Sequence, residues 1–166
     1  AAPTGRAEQT ELADALNARA LLLLGAGEPR RALPEMSRAV ELYRAACGAE
    51  HPHVGISCHN LGLIQQAAGD HAGARRSLET AVRVCEYSLG LLNPDFRAAL
   101  ASLQQLDGQS DGAQAGAQSA LLQRAQARMR VAAATALQRR ASRRRVEDAQ
   151  GGRGGPHPQH IQQKQT

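Results

Sequence analysis

Cysteine and histidine are the residues of this 166-residue chain whose side chains most readily serve as nucleophiles, general bases or metal ligands. The three cysteines, Cys47, Cys58 and Cys85, are odd in number and show neither a CxxC motif nor the Cys/His spacing of a zinc site. Their order relative to the histidines matches no known nucleophile and base arrangement. We therefore predict no catalytic residue, no metal site and no cofactor, and reduced thiols in a cytoplasmic protein.

Two histidine pairs could in principle bind a metal ion, and both favour another interpretation. His51-Pro52-His53 has the composition of a solvated connector, because proline is favoured at the first position of a helix. His157-Pro158-Gln159-His160 lies in a polar stretch near the end of the sequence, without apolar residues to bury. The cysteines and histidines therefore do not indicate an enzyme. The predicted function rests instead on the secondary-structure elements of the chain.

An internal repeat organises the first two thirds of the chain. Residues 13–54 superimpose on residues 55–96 at an offset of 42, and a period of this size is typical of repeat proteins built from helix pairs. Aromatic residues make up only 2 % of the chain, so a core must be built from small and aliphatic side chains. The identical pairs at this offset include Leu21/Leu63, Gly27/Gly69, Ala32/Ala74, Ala39/Ala81, Val40/Val82, Gly48/Gly90 and Pro52/Pro94.

Each unit contains two helical patterns separated by glycine. In the second unit the pattern predicts one helix from Pro52 to Ala68 and another that follows Gly69-Asp70 and ends before Gly90. Pro34 falls inside the corresponding second helix of the first unit, where it leaves the helix start undecided. The fold class predicted is all-α, an α-solenoid of antiparallel helix pairs.

The second unit resembles the tetratricopeptide repeat. The resemblance rests on the run His59-Asn60-Leu61-Gly62, then Gly69-Asp70, Ala74, Leu78 and Ala81, and the connector from Cys47 to Val54 with its 42-residue period is similar to the kinesin-light-chain type. The resemblance implies that Cys58 and Cys85 are buried. It also implies a non-catalytic scaffold or adaptor that binds a peptide or a helix of another protein.

The domain boundaries follow from the repeat and from charge. Residues 1–107 carry 10 Lys+Arg against 12 Asp+Glu, whereas residues 108–166 carry 10 against 3, so the basic character belongs to the C-terminal part. We predict a flexible N-terminus at 1–9, repeats at 10–106 with a partial unit at 97–106, a linker at 107–113, an Arg-rich helix at 114–148 and a disordered tail at 149–166.

The resemblance also implies a binding groove. In such a solenoid the first helix of each pair lines the concave side, and an asparagine there can hold a peptide backbone through its amide. The alternative for Asn60 is a hydrogen bond to the neighbouring helix. The predicted groove residues are Asp14, Asn17, Leu21, Ile56, His59, Asn60, Leu63, Gln66, Ser102 and Gln105.

The Arg-rich segment carries a basic patch with three interpretations. It could be a nuclear-localisation or nucleic-acid patch, a surface for an acidic partner or membrane, or a solvated helix face. Ser142 follows two arginines at the spacing of a basophilic-kinase site, and its phosphorylation would lower the charge of the patch. The patch consists of Arg139, Arg140, Arg143, Arg144 and Arg145.

Three functions therefore remain open at the level of sequence. The first is a scaffold that binds a protein or peptide partner in the groove. Further repeats of a longer parent chain are an additional candidate partner. The second is a fragment of a larger enzyme, because the helix pairs are similar to the C-terminal helical domain of SET/MYND lysine methyltransferases. The third is a nucleic-acid-associated protein that acts through the basic patch, and it predicts steeply salt-dependent binding.

Overall fold

The repeats form consecutive pairs of α-helices. The computed structural model describes residues 5–109 and 120–151. Within these residues it contains only helices, in agreement with the predicted all-α solenoid. Their bounds are α1 (Arg6–Gly25), α2 (Pro29–Cys47), α3 (Pro52–Ala67), α4 (His71–Leu89), α5 (Pro94–Gln109) and α6 (Ala120–Gly151).

The helix ends follow the local sequence. Pro52 opens α3, and the Asp70 carboxylate accepts a hydrogen bond of 2.8 Å from the backbone N–H of Gly73, which caps α4. After α1, α2, α3 and α4 the chain turns at a glycine with φ between 77° and 93°, a conformation that residues with a Cβ rarely adopt. These glycines are Gly27, Gly48, Gly69 and Gly90.

Some bounds differ from those predicted. α1 begins at Arg6 rather than near residue 10, and α5 continues to Gln109, three residues beyond Leu106. α2 begins at Pro29 and runs through Pro34 without interruption, so the helix accommodates the missing backbone N–H. α6 extends to Gly151. The rest of the predicted linker and tail, at 110–113 and 152–166, and residues 114–119 of the predicted Arg-rich helix lie outside the described residues.

Small residues allow the helices of each pair to approach closely. α1 packs chiefly on α2, and α3 on α4, and the pairs are joined by α2 against α3 and α4 against α5. A Cβ added to Gly62 would lie 2.7 Å from Cγ of Leu78 and 3.3 Å from the Ala74 carbonyl oxygen, so only a residue without a side chain fits there without adjustment. The alanines at matching places are fully buried: Ala20, Ala32, Ala39, Ala74 and Ala81.

The chain divides into two compact units, residues 1–130 and 131–166. The first unit includes the start of α6, where Ala125 is buried and Met129 packs against the core. Arg128 of this segment forms an ion pair with Glu86 of α4. The start of α6 therefore contributes apolar surface and a charge to the same core as the repeats. In the second unit α6 continues as a helix to Gly151, and Val131 and Leu137 are exposed.

Candidate partner-binding surface

The residues predicted to line a groove lie on the first helices of the pairs, α1, α3 and α5. We call these ten residues the first-helix surface. None of the ten is fully buried, so all can be reached from solvent. Leu21, Leu63 and Gln105 occupy the same place in successive helices because they are 42 residues apart. The full set is Asp14, Asn17, Leu21, Ile56, His59, Asn60, Leu63, Gln66, Ser102 and Gln105.

Two hydrogen bonds cross this surface with the period of the repeat. The Asn60 side-chain amide donates to the side-chain oxygen of Asn17 at 3.1 Å, which joins α3 to α1. A ring nitrogen of His59 and the Ser102 hydroxyl are 2.9 Å apart, which joins α3 to α5. Asn17 and His59 are 42 residues apart, and so are Asn60 and Ser102, so the second bond repeats the first one unit further along the chain. These bonds therefore fix the spacing of successive first helices, and with it the shape of the surface.

For Asn60, the structure shows the alternative in which the amide bonds the neighbouring helix. A carboxamide has two N–H groups and an oxygen with two lone pairs, and the bond to Asn17 uses one N–H. The role of Asn60 in holding the scaffold together is therefore observed, and its role in holding a peptide stays a prediction.

The surroundings of His59 favour the neutral form of its ring. Burial lowers its pKa, because removal from water disfavours the charged imidazolium, and the nearby carboxylate of Asp95 opposes this only in part. A neutral imidazole can both donate and accept a hydrogen bond. His59 thus contributes polarity to the first-helix surface without adding a charge.

Asp14 of α1 forms a hydrogen bond with a residue of α2, the helix with which α1 pairs. The Tyr43 hydroxyl of α2 donates a hydrogen bond to the Asp14 carboxylate. Burial raises the pKa of Tyr43, and the carboxylate raises it further because it disfavours a neighbouring phenolate. The Tyr43 ring also contacts the ring of His53, with centroids 5.1 Å apart. The single charged residue of the first-helix surface therefore also has a structural role.

Two of the three thiols, those of Cys58 and Cys85, are placed as structural rather than reactive groups. Cys58 and Cys85 are buried, as the resemblance implied, and Cys47 is half-buried. Burial raises the pKa of Cys58, although Arg44 lowers it in part, and burial raises the pKa of Cys85 to about 11. A thiol with a raised pKa has little of the thiolate that nucleophilic chemistry requires.

The histidine connector also takes a structural place. His51 precedes α3, and its Nδ1 accepts a hydrogen bond of 3.3 Å from the backbone N–H of His53. It therefore caps the start of the helix that Pro52 opens. In the part of the chain that the structure describes, no group of three His, Cys, Asp or Glu residues is arranged to hold a metal ion. His157 and His160 lie outside that part.

The basic patch lies on α6 in the second unit. Arg139, Arg140 and Arg143 are exposed, and so is Ser142, which the same helix contains. Arg144 and Arg145 continue the helix, and their side chains are outside the described set. The described side chains are accessible to a charged partner.

Comparison with known families agrees with the repeat architecture. A family model described as tetratricopeptide repeat matches residues 11–86, which covers most of α1 to α4. Residues 11–86 of the chain are tetratricopeptide repeats. Repeats of this family generally mediate contacts between proteins and are typically non-catalytic. No curated protein matches the chain. None of the helices described is long and apolar enough to cross a membrane. The kinesin-light-chain subtype stays a prediction.

Sequence reasoning missed the two cross-helix bonds as a set. The signal was available, because Asn17 and His59 are 42 residues apart, and so are Asn60 and Ser102. When two positions hold polar residues in successive units, a hydrogen bond between these positions is expected to repeat as well. Residue identity alone does not reveal this signal, because Asn, His and Ser differ in type.

Proposed function

We propose that this tetratricopeptide repeat protein is a non-catalytic scaffold that binds a peptide or helix of another protein on its first-helix surface. The observation that carries the proposal is the composition of that surface. Leu21 of α1 and Ile56 and Leu63 of α3 are accessible apolar side chains, and the Asn17–Asn60 and His59–Ser102 pairs lie on the same set of first helices, α1, α3 and α5. Apolar contact area supplies affinity, and a few fixed polar groups supply orientation.

The charge of the surface limits the class of ligand. Among its ten residues only Asp14 carries a formal charge near neutral pH, and its carboxylate already accepts a hydrogen bond from Tyr43. No lysine or arginine is present to pair with a terminal carboxylate or a phosphate. We therefore expect a ligand segment with apolar side chains and exposed backbone amides rather than an acidic tail.

Affinity purification with quantitative mass spectrometry tests this proposal. The variant Leu63→Asp places a charge on the first-helix surface, and Tyr87→Asp places the same charge on α4, where Tyr87 is 77 % exposed. We expect Leu63→Asp to lose the principal partner and Tyr87→Asp to retain it. Unchanged capture by a folded Leu63→Asp protein would disprove the proposal, and a circular dichroism melt of each variant establishes folding.

A second pair of variants separates the two roles of Asn60. Asn17→Ala and Asn60→Ala both remove the hydrogen bond between α1 and α3, but only Asn60→Ala removes the amide of Asn60. If Asn60 binds the partner directly, capture falls in Asn60→Ala and persists in Asn17→Ala. An equal loss in both variants would show that the Asn60 amide contributes no more than the bond that it shares with Asn17.

The basic patch supports a second candidate function. Arg139, Arg140 and Arg143 are exposed on one helix, and a cluster of this kind binds phosphates or acidic segments through charge. Binding of a nucleic acid would weaken steeply as salt is raised and would disappear when these three arginines are replaced by glutamine. Binding that is insensitive to salt would exclude it.

The cellular location proposed is the cytoplasm, with the nucleus as the alternative if the basic patch is a localisation signal. Cys47, Cys58 and Cys85 are all free thiols, which agrees with a reducing compartment. Imaging of the full chain beside a variant with Arg139, Arg140 and Arg143 replaced tests the alternative. A nuclear signal that is lost in the variant would support it.

A further inference from the structure

The second unit of the chain begins at Val131 in the middle of α6, and its described side chains fall into two groups by exposure. Ala132, Thr135 and Ala136 are half-buried. Val131 is 67 % exposed and Leu137 is 66 % exposed. Single exposed apolar side chains are common on protein surfaces, so these two are informative only if they lie on one face of the helix.

Val131 and Leu137 do lie on one face of α6. Successive residues of an α-helix turn by about 100°, which places these two residues about 120° apart around the axis, with Ala134 and Ala141 between them. All four are exposed, and we call them the α6 strip. The polar residues in the same arc are Gln138 within the strip, Arg130 before it and Arg145 after it. The strip is therefore a short apolar surface with an arginine at each end.

The charge around the strip has one sign. Residues 120–146 contain eight arginines and no aspartate or glutamate. Among the described residues, Arg128 forms an ion pair with Glu86, and no carboxylate pairs with Arg139, Arg140 or Arg143. These three arginines are exposed and lie on the sides of the helix away from the strip. A partner that satisfies both the strip and the arginines must therefore reach around the helix and carry negative charge.

The apolar strip distinguishes between the acidic partners that could bind here. A nucleic acid would contact the arginines and leave the strip in water, and residues 120–151 contain no aromatic side chain on which a base could stack. Helices that lie on membranes bury large side chains such as Trp, Phe and Leu, and the strip has only Leu137 and Val131 of comparable size. A protein groove with an apolar floor and acidic rims matches both features.

We propose that residues 130–146 of α6 bind as a helix in the groove of an acidic calcium-sensor protein of the EF-hand type. Helices that bind in grooves use anchors at i, i+3 and i+7, and Ala134, Leu137 and Ala141 have this spacing. Calcium opens such sensors and exposes a groove rich in methionine. Methionine adapts to side chains of different size, which suits a strip that combines alanine with leucine and valine. The inference does not depend on the first-helix surface.

Fluorescently labelled calmodulin, which binds helices in a groove of this kind, is the probe. Fluorescence anisotropy measures its binding to the full chain in calcium and in excess chelator. Leu137→Glu is the test variant, because it places a carboxylate in the α6 strip. Ala133→Glu is the matched control, because Ala133 is exposed, lies one turn before Leu137 outside the strip, and receives the same charge. Circular dichroism establishes that both variants keep the helical content of the unmodified chain.

We expect a saturable complex between calmodulin and the unmodified chain in calcium, weaker by about tenfold or more in chelator. Leu137→Glu should weaken the complex by about tenfold or more, because its carboxylate enters an apolar groove bordered by carboxylates. Ala133→Glu should bind within about threefold of the unmodified chain. No binding in calcium, or equal binding by Leu137→Glu and the unmodified chain, would overturn the proposal.

The other possible occupants of α6 are tested in parallel with a duplex oligonucleotide and with vesicles that contain phosphatidylserine. Binding of the chain to either probe, without binding to calmodulin, would identify a nucleic acid or a membrane as the occupant and overturn the proposal. Leu63→Asp, which tests the first-helix surface, should bind calmodulin as the unmodified chain does. Loss of calmodulin in that variant would place the complex on the first-helix surface and would also overturn the proposal.

Discussion

Replacing Gly62 by alanine tests how closely the paired helices approach each other. The new Cβ would lie 2.7 Å and 2.8 Å from two side-chain carbons of Leu78, well inside ordinary contact distance. Overpacking of this kind costs about 1–3 kcal/mol. Alanine in place of glycine in a helix returns up to about 1 kcal/mol. The net expectation is a loss of about 1 kcal/mol in the free energy of unfolding.

The first repeat, residues 13–54, indicates how the clash between the new Cβ and Leu78 can be relieved. At the positions of Gly62 and Leu78 it has Ala20 and Met36, and both are fully buried. Methionine is unbranched and adapts to irregular space more readily than leucine. The double variant Gly62→Ala with Leu78→Met should therefore recover most of the loss, which makes the two substitutions coupled rather than additive.

Urea unfolding followed by circular dichroism measures these differences. Gly108→Ala in α5 is the control, because its Cβ would have no atom within 4 Å, and we expect it to stabilise the protein by up to about 1 kcal/mol. A Gly62→Ala protein as stable as the Gly108→Ala protein would refute the reasoning. So would a double variant no more stable than Gly62→Ala alone.

Three further predictions concern single groups. Burial lowers the pKa of His59, so the unfolded chain binds a proton at this residue more readily than the folded chain does. Acidification from pH 7.5 to 5.8 should therefore lower the melting temperature more in the parent chain than in His59→Gln. An equal decrease would contradict this. Pro34→Ala should raise the free energy of unfolding by about 1–3 kcal/mol in urea denaturation, because it restores a donor inside α2 and removes a ring clash; no gain would show that the helix is adapted to the proline. In the native protein Cys47 should react first with a thiol reagent, while the buried Cys58 and Cys85 should react only on unfolding; rapid labelling of all three would contradict the packing described.

The sequence was sufficient for the helix pairs because their signals are local. The four glycines that turn the chain, and Pro52 at the start of α3, act through backbone geometry that a residue type specifies by itself. The small residues Gly62 and Ala74 likewise mark the close contact within a pair. Such features recur with the repeat, so each unit supports the interpretation of the other.

The surfaces could be predicted only in part because exposure depends on neighbours. Leu22 and Ile64 occupy the same position and are both apolar, yet one is 75 % exposed and the other 0 %. Nothing in the two residues distinguishes them, since the difference comes from the helix that packs beside α3. The bond between His59 and Ser102 likewise depends on a neighbouring helix, and the positions at which the bond repeats hold different residue types.

Site-specific photo-crosslinking tests the central claim most directly, which is that the protein holds its partner on the first-helix surface. A photoreactive amino acid is placed at Leu63 on that surface in one chain and at Tyr87 on α4 in another. We expect one prominent adduct with a partner protein from position 63 and none with the same partner from position 87. The opposite pattern, with the partner crosslinked from position 87 and not from position 63, would contradict the account.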